Sequence, residues 1–271
     1  MKNKIFLIYF ISLASSLAST NFPPVLDIQD DIEYDIFRDP NWAPYVKSKY
    51  EHTLFNQRCV YYPAKNPKRL IISFAYCGEK YLYWSWFWNN ENWDDTSYLF
   101  LKDDNCTWYC GTHNNPLIND YSNIIKHFVS LSGVSEDHIF TLGISMGGYG
   151  AILYSTILGF KGAIVDLPQF NAHIFNTLAA PMIKPEVAWI NLDTLLIETP
   201  KLPIISFHCG SHQADYTAVY KFIDILKTRK SNFLIKRSGI PYHDGTTFTK
   251  TFIEKEINYM ETQEELNPNY P

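Results

Sequence analysis

The feature that most constrains this chain is the pentapeptide Gly143-Ile144-Ser145-Met146-Gly147, which follows the apolar run 138–142 (HIFTL) and precedes Gly148, Tyr149, Gly150, Ala151, Ile152 and Leu153. A G-x-S-x-G pattern is loose by itself. A strand before it and a small-residue helix after it form the context of a serine carried on a sharp strand-to-helix turn. Such a turn strains the backbone at the serine, and a side chain at either flanking glycine would collide with neighbouring main chain. Gly148 and Gly150 let the helix pack closely on the sheet. Its N-terminus then faces the serine oxygen, where free amides and the helix dipole can stabilise developing negative charge.

The rest of the chain repeats the alternation around that turn. Residues 70–74 (LIISF), 98–101 (YLFL), 138–142, 163–165 (AIV), 204–207 (IISF) and 233–235 (FLI) are short apolar runs rich in β-branched and aromatic side chains, the pattern of buried strands. Between them, 120–131 places Tyr121, Ile124, Ile125, Phe128 and Val129 on one helical face, and 217–226 does so with Val219, Phe222, Ile223 and Leu226. Strands alternating with amphipathic helices predict an α/β fold with a mostly parallel central sheet and helices on both faces. The stretch 21–62 is expected to supply edge strands and an extended arm. No repeat or long linker divides residues 19–271, which read as one domain.

Composition removes several function classes. The 271 residues carry a formal net charge of −5 with no dense Lys/Arg window, so a nucleic-acid backbone is not an expected partner. At 46% hydrophobic residues the chain can bury a large core, and 19 Tyr, 18 Phe and 7 Trp exceed what a core ordinarily requires. The first 18 residues differ from the rest: Lys2 and Lys4 precede an apolar run over 5–13, and Ser16 and Ala18 fit the −3 and −1 positions of a signal-peptidase site. A secreted or periplasmic protein starting near Ser19 is therefore expected, with a cytoplasmic location as the alternative and no membrane span after processing.

The five cysteines, Cys59, Cys77, Cys106, Cys110 and Cys209, are odd in number, so at least one is unpaired within the monomer. Cys106 and Cys110 could be joined in an oxidising compartment. No C-x-x-C pair exists, and His208, Cys209 and His212 form a single cluster without a second half, so no metal is expected.

A nucleophilic serine needs a base, and the base an orienting acid. His243, in the turn-like segment Gly239-Ile240-Pro241-Tyr242-His243-Asp244-Gly245 after the final strand, is the expected base. Asp215, expected in the loop between 204–207 and a helix starting near Thr217, is the expected acid. Asp166, at the end of 163–165, is the alternative acid, and Asp244 is too near His243 in sequence to orient it. His208 and His212 read as hydrogen-bonded structural residues. All three candidates follow strand ends, so they share one rim of the sheet, where open α/β sheets bind ligands. The backbone amide of Met146 and one from the loop Ala75-Tyr76-Cys77-Gly78, assigned to Tyr76, form the expected oxyanion hole. Residues 167–201 are long enough for a small helical cap, and substrate choice is expected there and in the aromatic stretch 81–93, which holds Trp84, Trp86, Trp88 and Trp93. Indole faces suit the apolar faces of sugar rings as well as they suit cores.

The segments LGISMGGYGAILY, ISFHCGSHQADY and SGIPYHDG together resemble the α/β-hydrolase superfamily. Within it they are similar to bacterial polysaccharide and glycan O-acetyltransferases. The resemblance spans about residues 70–259. It implies an acyl-serine intermediate on Ser145, with Asp215 and His243 completing a triad, and transfer of acetyl from a thioester donor to a sugar hydroxyl. No bound cofactor is implied, and acetyl-CoA would be a co-substrate for a cytoplasmic protein. Export shifts the expectation toward hydrolysis or another donor. The expected substrate is thus an acyl ester, with acetyl on a carbohydrate as the specific expectation. A generic carboxylesterase, or a catalytically silent hydrolase-fold binding protein, is the alternative.

Overall fold

The computed structural model describes residues 48–78, 81, 95–178, 183–239, 241–243 and 250–266. The chain divides into two units, Met1–Asp35 and Ile36–Pro271, and every described residue belongs to the second. The leader 1–18 and the tryptophans at 84, 86, 88 and 93 lie outside the described residues.

The second unit is organised on one eight-stranded sheet: β1 (Glu51–Leu54), β2 (Gln57–Tyr62), β3 (Arg69–Phe74), β4 (Thr96–Leu101), β7 (Ile139–Ile144), β8 (Gly162–Asp166), β9 (Ile204–Cys209) and β10 (Phe233–Arg237). Their order across the sheet is β1-β2-β4-β3-β7-β8-β9-β10. β2 pairs antiparallel with β1 and β4, and all pairings from β4 to β10 are parallel. The β1–β2 hairpin turns on Phe55 and Asn56, both at positive φ, as a two-residue turn that matches strand twist requires. A second ribbon pairs β5 (Gly111–Thr112) with β6 (Asn115–Pro116).

Every residue of β4, β7 and β8 is buried, so both faces of the central sheet are covered and each strand reads as a continuous apolar run rather than an alternating one. The covering helices are α1 (Ile118–Ser132), α2 (Met146–Leu158), α5 (Gln213–Thr228) and α6 (Lys250–Leu266), with the short α3 (Ala172–Leu178) and α4 (Leu192–Glu198) in the excursion between β8 and β9. That excursion occupies the span expected for a cap, and α3 and α4 both pack on α5. Strands and helices run one to four residues beyond the apolar runs that announce them. The exception is His138, which closes a 3₁₀ turn before β7. No described helix is long and apolar enough to cross a membrane.

From β3 the chain steps to β4 on one side and then to β7 on the other. The order of the sheet therefore reverses between β3 and β7, and the carboxyl ends of these strands frame the crevice where α/β sheets hold ligands.

Two covalent and steric facts fix this rim. Cys106, just past β4, is bonded to Cys77, just past β3, and not to Cys110; Cys59, Cys110 and Cys209 are unbridged and buried. Adjacent parallel strands end side by side, which brings together two cysteines 29 residues apart. Cys110 is instead turned into the core, 3.1 Å from the Tyr149 hydroxyl. At the β7–α2 junction, a Cβ on Gly147 would lie 2.1 Å from the Phe74 carbonyl oxygen, and one on Gly143 2.2 Å from the Gly147 carbonyl group.

Peptide mapping without reductant should yield a Cys77–Cys106 linked pair, and a Cys106–Cys110 link would contradict the fold. Cys59 and Cys110 should resist alkylation in the folded protein, because burial pushes both thiols up to about 12 and so removes the thiolate at neutral pH. Gly147→Ala should destabilise by about 3 kcal/mol in denaturant unfolding, since backbone rather than a flexible side chain must yield. Gly148→Ala, whose Cβ would meet the Asp166 carbonyl at 3.2 Å, should cost far less.

Candidate active site

Ser145 precedes α2 with φ 52° and ψ −116°, a conformation that L-residues rarely adopt. Its own N–H donates to the Asp166 carbonyl at 2.9 Å, and its carbonyl accepts from Tyr149 N–H at 3.0 Å, so the strained residue is held on both sides by main chain. The hydroxyl Oγ lies 2.8 Å from His243 Nε2. On the far side of the imidazole, Nδ1 is 2.8 Å from Asp215 Oδ1. Ser145, His243 and Asp215, separated by up to 98 residues, thus form one hydrogen-bonded chain.

Asp215 lies in the first turn of α5 rather than in the loop before it, and its side chain is 0% exposed. A buried carboxylate must be matched by donors. Three groups surround it: His243 Nδ1, the Gln169 amide, which donates from Nε2 to Oδ1 at 2.8 Å, and His212 Nδ1, 3.1 Å from Oδ2. The helix N-terminus adds favourable dipole for an acid in the first turn. Gln169 and His212 carry no motif, and their role is invisible until the fold brings the β8–β9 excursion and the start of α5 together. His212, read from sequence as a structural residue, sits directly on the Asp215 carboxylate. His212, Asp215 and His243 are also the described acid, His and Cys groups close enough to share a metal, with ligand atoms within 4.8 Å of one another, but each already serves the hydrogen-bonded chain.

Asp166 makes a different pair. Its Oδ1 is 2.9 Å from His208 Nδ1, both residues being buried on the adjacent strands β8 and β9. The alternative acid is therefore engaged with His208, and its backbone carbonyl supports Ser145.

The loop after β3 runs beside the start of α2: the Gly147 position touches the Phe74–Ala75 peptide. Met146, first residue of α2, is buried, whereas the Tyr76 side chain is exposed. Around the rim stands an aromatic group. Trp189 lies against Tyr149 at 4.1 Å between ring centroids, Trp108 meets Trp189 at 5.2 Å and Phe175 at 5.8 Å, and Phe175 is 6.0 Å from His243. Two of these residues, Phe175 and Trp189, come from the β8–β9 excursion.

No protein-family model matches the chain, and no curated protein sequence matches it. Among solved structures it is similar to the capsule O-acetyltransferase of Neisseria meningitidis serogroup A, at 19% identity over 77% of this chain and 93% of that one, with a TM-score of 0.61. It is also similar to the fluorophosphonate-binding serine hydrolase F of Staphylococcus aureus, at 17% identity over 78% and 96% of the two chains, with a TM-score of 0.60. The S-formylglutathione hydrolase of Staphylococcus aureus matches at 17% identity over the same shares, with a TM-score of 0.55. With these neighbours and this strand order, the chain has the α/β-hydrolase fold.

Proposed function

We propose that this protein is a serine-dependent acyl-ester enzyme that works through an acyl-Ser145 intermediate. The observation that carries the reading is the continuous chain from Ser145 Oγ through the His243 imidazole to the buried Asp215 carboxylate, with both links at 2.8 Å. His243 Nε2 takes the hydroxyl proton as Oγ attacks the acyl carbonyl, and Asp215 stabilises the imidazolium that results. The carbonyl oxygen gains charge against the amides of Met146 and Tyr76. His243 then returns the proton to the departing alcohol or thiol, leaving acyl-Ser145. A second oxygen nucleophile, deprotonated by the same imidazole, attacks the acyl group and frees the serine.

Water and a sugar hydroxyl are equally competent in that last step. The acyl group is assigned as acetyl and the other substrate as a carbohydrate. Support comes from the likeness to a capsule O-acetyltransferase and from the half-buried Trp189, whose indole lies on the rim while Trp108 and Phe175 behind it are buried. A structure of that enzyme is a complex with CoA, so acetyl-CoA is the natural donor where this chain meets it. The likeness to S-formylglutathione hydrolase favours the second reading, a carboxylesterase that hydrolyses small thiol or oxygen esters. No bound cofactor is required by either. The signal-like leader and the Cys77–Cys106 disulfide both favour export to an oxidising compartment, because such bonds persist there and are rare in the cytosol.

A fluorophosphonate probe should label the folded protein at Ser145 and leave Ser145→Ala unlabelled; labelling that survives this substitution would end the serine reading. Ser145→Ala should lose roughly 10⁴-fold or more in kcat on acetyl esters, as removing a nucleophile does in serine enzymes generally. Asp215→Asn should lose roughly 10³- to 10⁴-fold, because an amide cannot stabilise the imidazolium or hold its tautomer. Mass spectrometry of the acyl-enzyme with acetyl-CoA and with acetylated sugars, each followed by an acceptor screen, separates transfer from hydrolysis. Appearance of acetylated glycan supports transfer, and release of acetate alone supports the esterase.

A further inference from the structure

The loop that carries Tyr76 has no secondary structure to hold it, yet three independent contacts converge on it. The Ala75 N–H donates to the Leu101 carbonyl at 3.0 Å, so one bond of ladder type continues past the end of β3. The Tyr109 hydroxyl donates to the Ala75 carbonyl at 2.7 Å. Two residues on, Cys77 is bonded to Cys106. Both outside partners, Cys106 and Tyr109, belong to the turn after β4, and that turn is organised by one buried carboxylate. Asp103 accepts from the N–H groups of Asn105, Thr107 and Tyr109 and from the Thr107 hydroxyl, at 2.7 to 3.1 Å. These bonds hold Cys106, Trp108 and Tyr109 at positive φ, which non-glycine residues otherwise avoid.

The orientation of one amide follows. In a trans peptide the C=O of one residue and the N–H of the next point in opposite directions, and the described residues contain no cis bond. A hydroxyl that fixes the Ala75 carbonyl therefore also fixes the direction of the Tyr76 N–H, which must face away from Tyr109. The Tyr109 ring is wedged between α2 and β3, since a Cβ on Gly150 would touch both it and Phe74. The phenol is fully buried, and burial holds its pKa far above the ordinary tyrosine value, so it remains a protonated donor.

We propose that the 103–109 turn is a clamp on the oxyanion loop: Tyr109 is a positioning residue that aims the Tyr76 N–H, and the Cys77–Cys106 disulfide locks the loop in that pose, making acyl transfer dependent on the oxidised state of this bond. This rests on the reading of Ser145 as nucleophile and Tyr76 as oxyanion donor. The disulfide is open to control from solution, because Cys77 is exposed and Cys106 half-buried. A dithiol such as dithiothreitol would reduce it to two thiols while closing to its own cyclic disulfide, with two electrons and two protons passing to the cysteines. Without the bond, one of the three restraints on the loop is gone, and oxyanion donors are effective only where they are held in place.

The test uses the full chain, oxidised, with 1-naphthyl acetate as substrate. Tyr109→Phe should lower kcat at least tenfold with KM within twofold of the parent. Tyr121→Phe, which removes an equally buried hydroxyl donating to the Lys102 carbonyl at 2.8 Å, should keep its kcat while losing comparable thermal stability. Parent protein reduced with dithiothreitol and desalted should lose activity as two new thiols appear, and reoxidation should restore it. Cys77→Ala/Cys106→Ala should start at the reduced level and ignore the reductant. Parent-like kcat in Tyr109→Phe, or undiminished activity in parent protein whose two extra thiols have been counted, overturns the clamp alone, provided that the parent shows Ser145-dependent fluorophosphonate labelling. If the parent shows neither labelling nor ester turnover, the serine reading itself has failed and the clamp falls with it.

Discussion

A fully buried carboxylate at Asp215 dictates how much of this molecule is put together. An ionised group in the interior is tolerated only when donors replace the water it has lost, and here the donors come from three places far apart in sequence. Gln169 enters from the excursion after β8, His212 immediately precedes α5, and His243 arrives from the segment after β10. Satisfying one side chain therefore ties the cap-like excursion, α5 and the C-terminal segment to a single point. The same requirement sets the orientation of His243, because an imidazole that gives Nδ1 to Asp215 must turn Nε2 outward, and it turns it to Ser145.

The serine side of the site is built on strain instead of charge. Ser145 stays in its disfavoured conformation because its neighbours over-determine it: a main-chain bond to Asp166, a main-chain bond from Tyr149, and two glycines through which α2 lies against β3 and β7 at distances no Cβ could occupy. The Asp166–His208 pair beneath it serves this arrangement. By joining β8 to β9 through side chains, it steadies the strand end whose carbonyl receives the Ser145 N–H. A carboxylate that looks from sequence like a rival for the acid position thus has a plain architectural use, and of its histidine and the two on Asp215 it is His243 that reaches the serine.

What the sequence discloses and what it hides divide along a physical line. The strand-turn-helix around Ser145 is local, its reasons lie within a dozen residues, and it is legible with its glycines; so are the alternation of strands and helices and the order Ser145, Asp215, His243. The start of α5 is placed four residues, about one turn, past its true position, because the apolar spacing that marks this helix in the sequence begins only at Val219, whereas its first turn buries Ala214 and Asp215 at the site. Gln169 and His212 are hidden because a hydrogen bond to a partner 46 residues away, or one between two polar residues three apart, leaves no distinctive pattern in a sequence. The disulfide is hidden for a topological reason. Cys106 and Cys110 are near in sequence, but the parallel pairing of β3 and β4 ends the two strands side by side and makes Cys77 the spatial neighbour, and only the strand order reveals it.

Among the described residues, some of the aromatic surplus has a use at the same rim. Parallel strands end there in irregular loops, and their carbonyls lose the partners that the ladder supplies further down. Four buried tyrosines meet that need: Tyr109 donates to the Ala75 carbonyl, Tyr121 to Lys102, Tyr154 to Tyr109 and Tyr149 to Ile190. Phenylalanine would fill the same volume but leave each of these buried acceptors without its donor, at a cost of about 1–3 kcal/mol apiece. Tyrosine is thus the side chain that can be core and main-chain partner at once. Its concentration around α2 and the turn after β4 allows an enzyme-like rim to be assembled from loops yet packed as tightly as an interior. The rings also touch one another, Phe74 with Tyr109, Tyr109 with Tyr121 and Tyr121 with Tyr154, so the side chains that serve the loop carbonyls also fill the space beside α2 without voids.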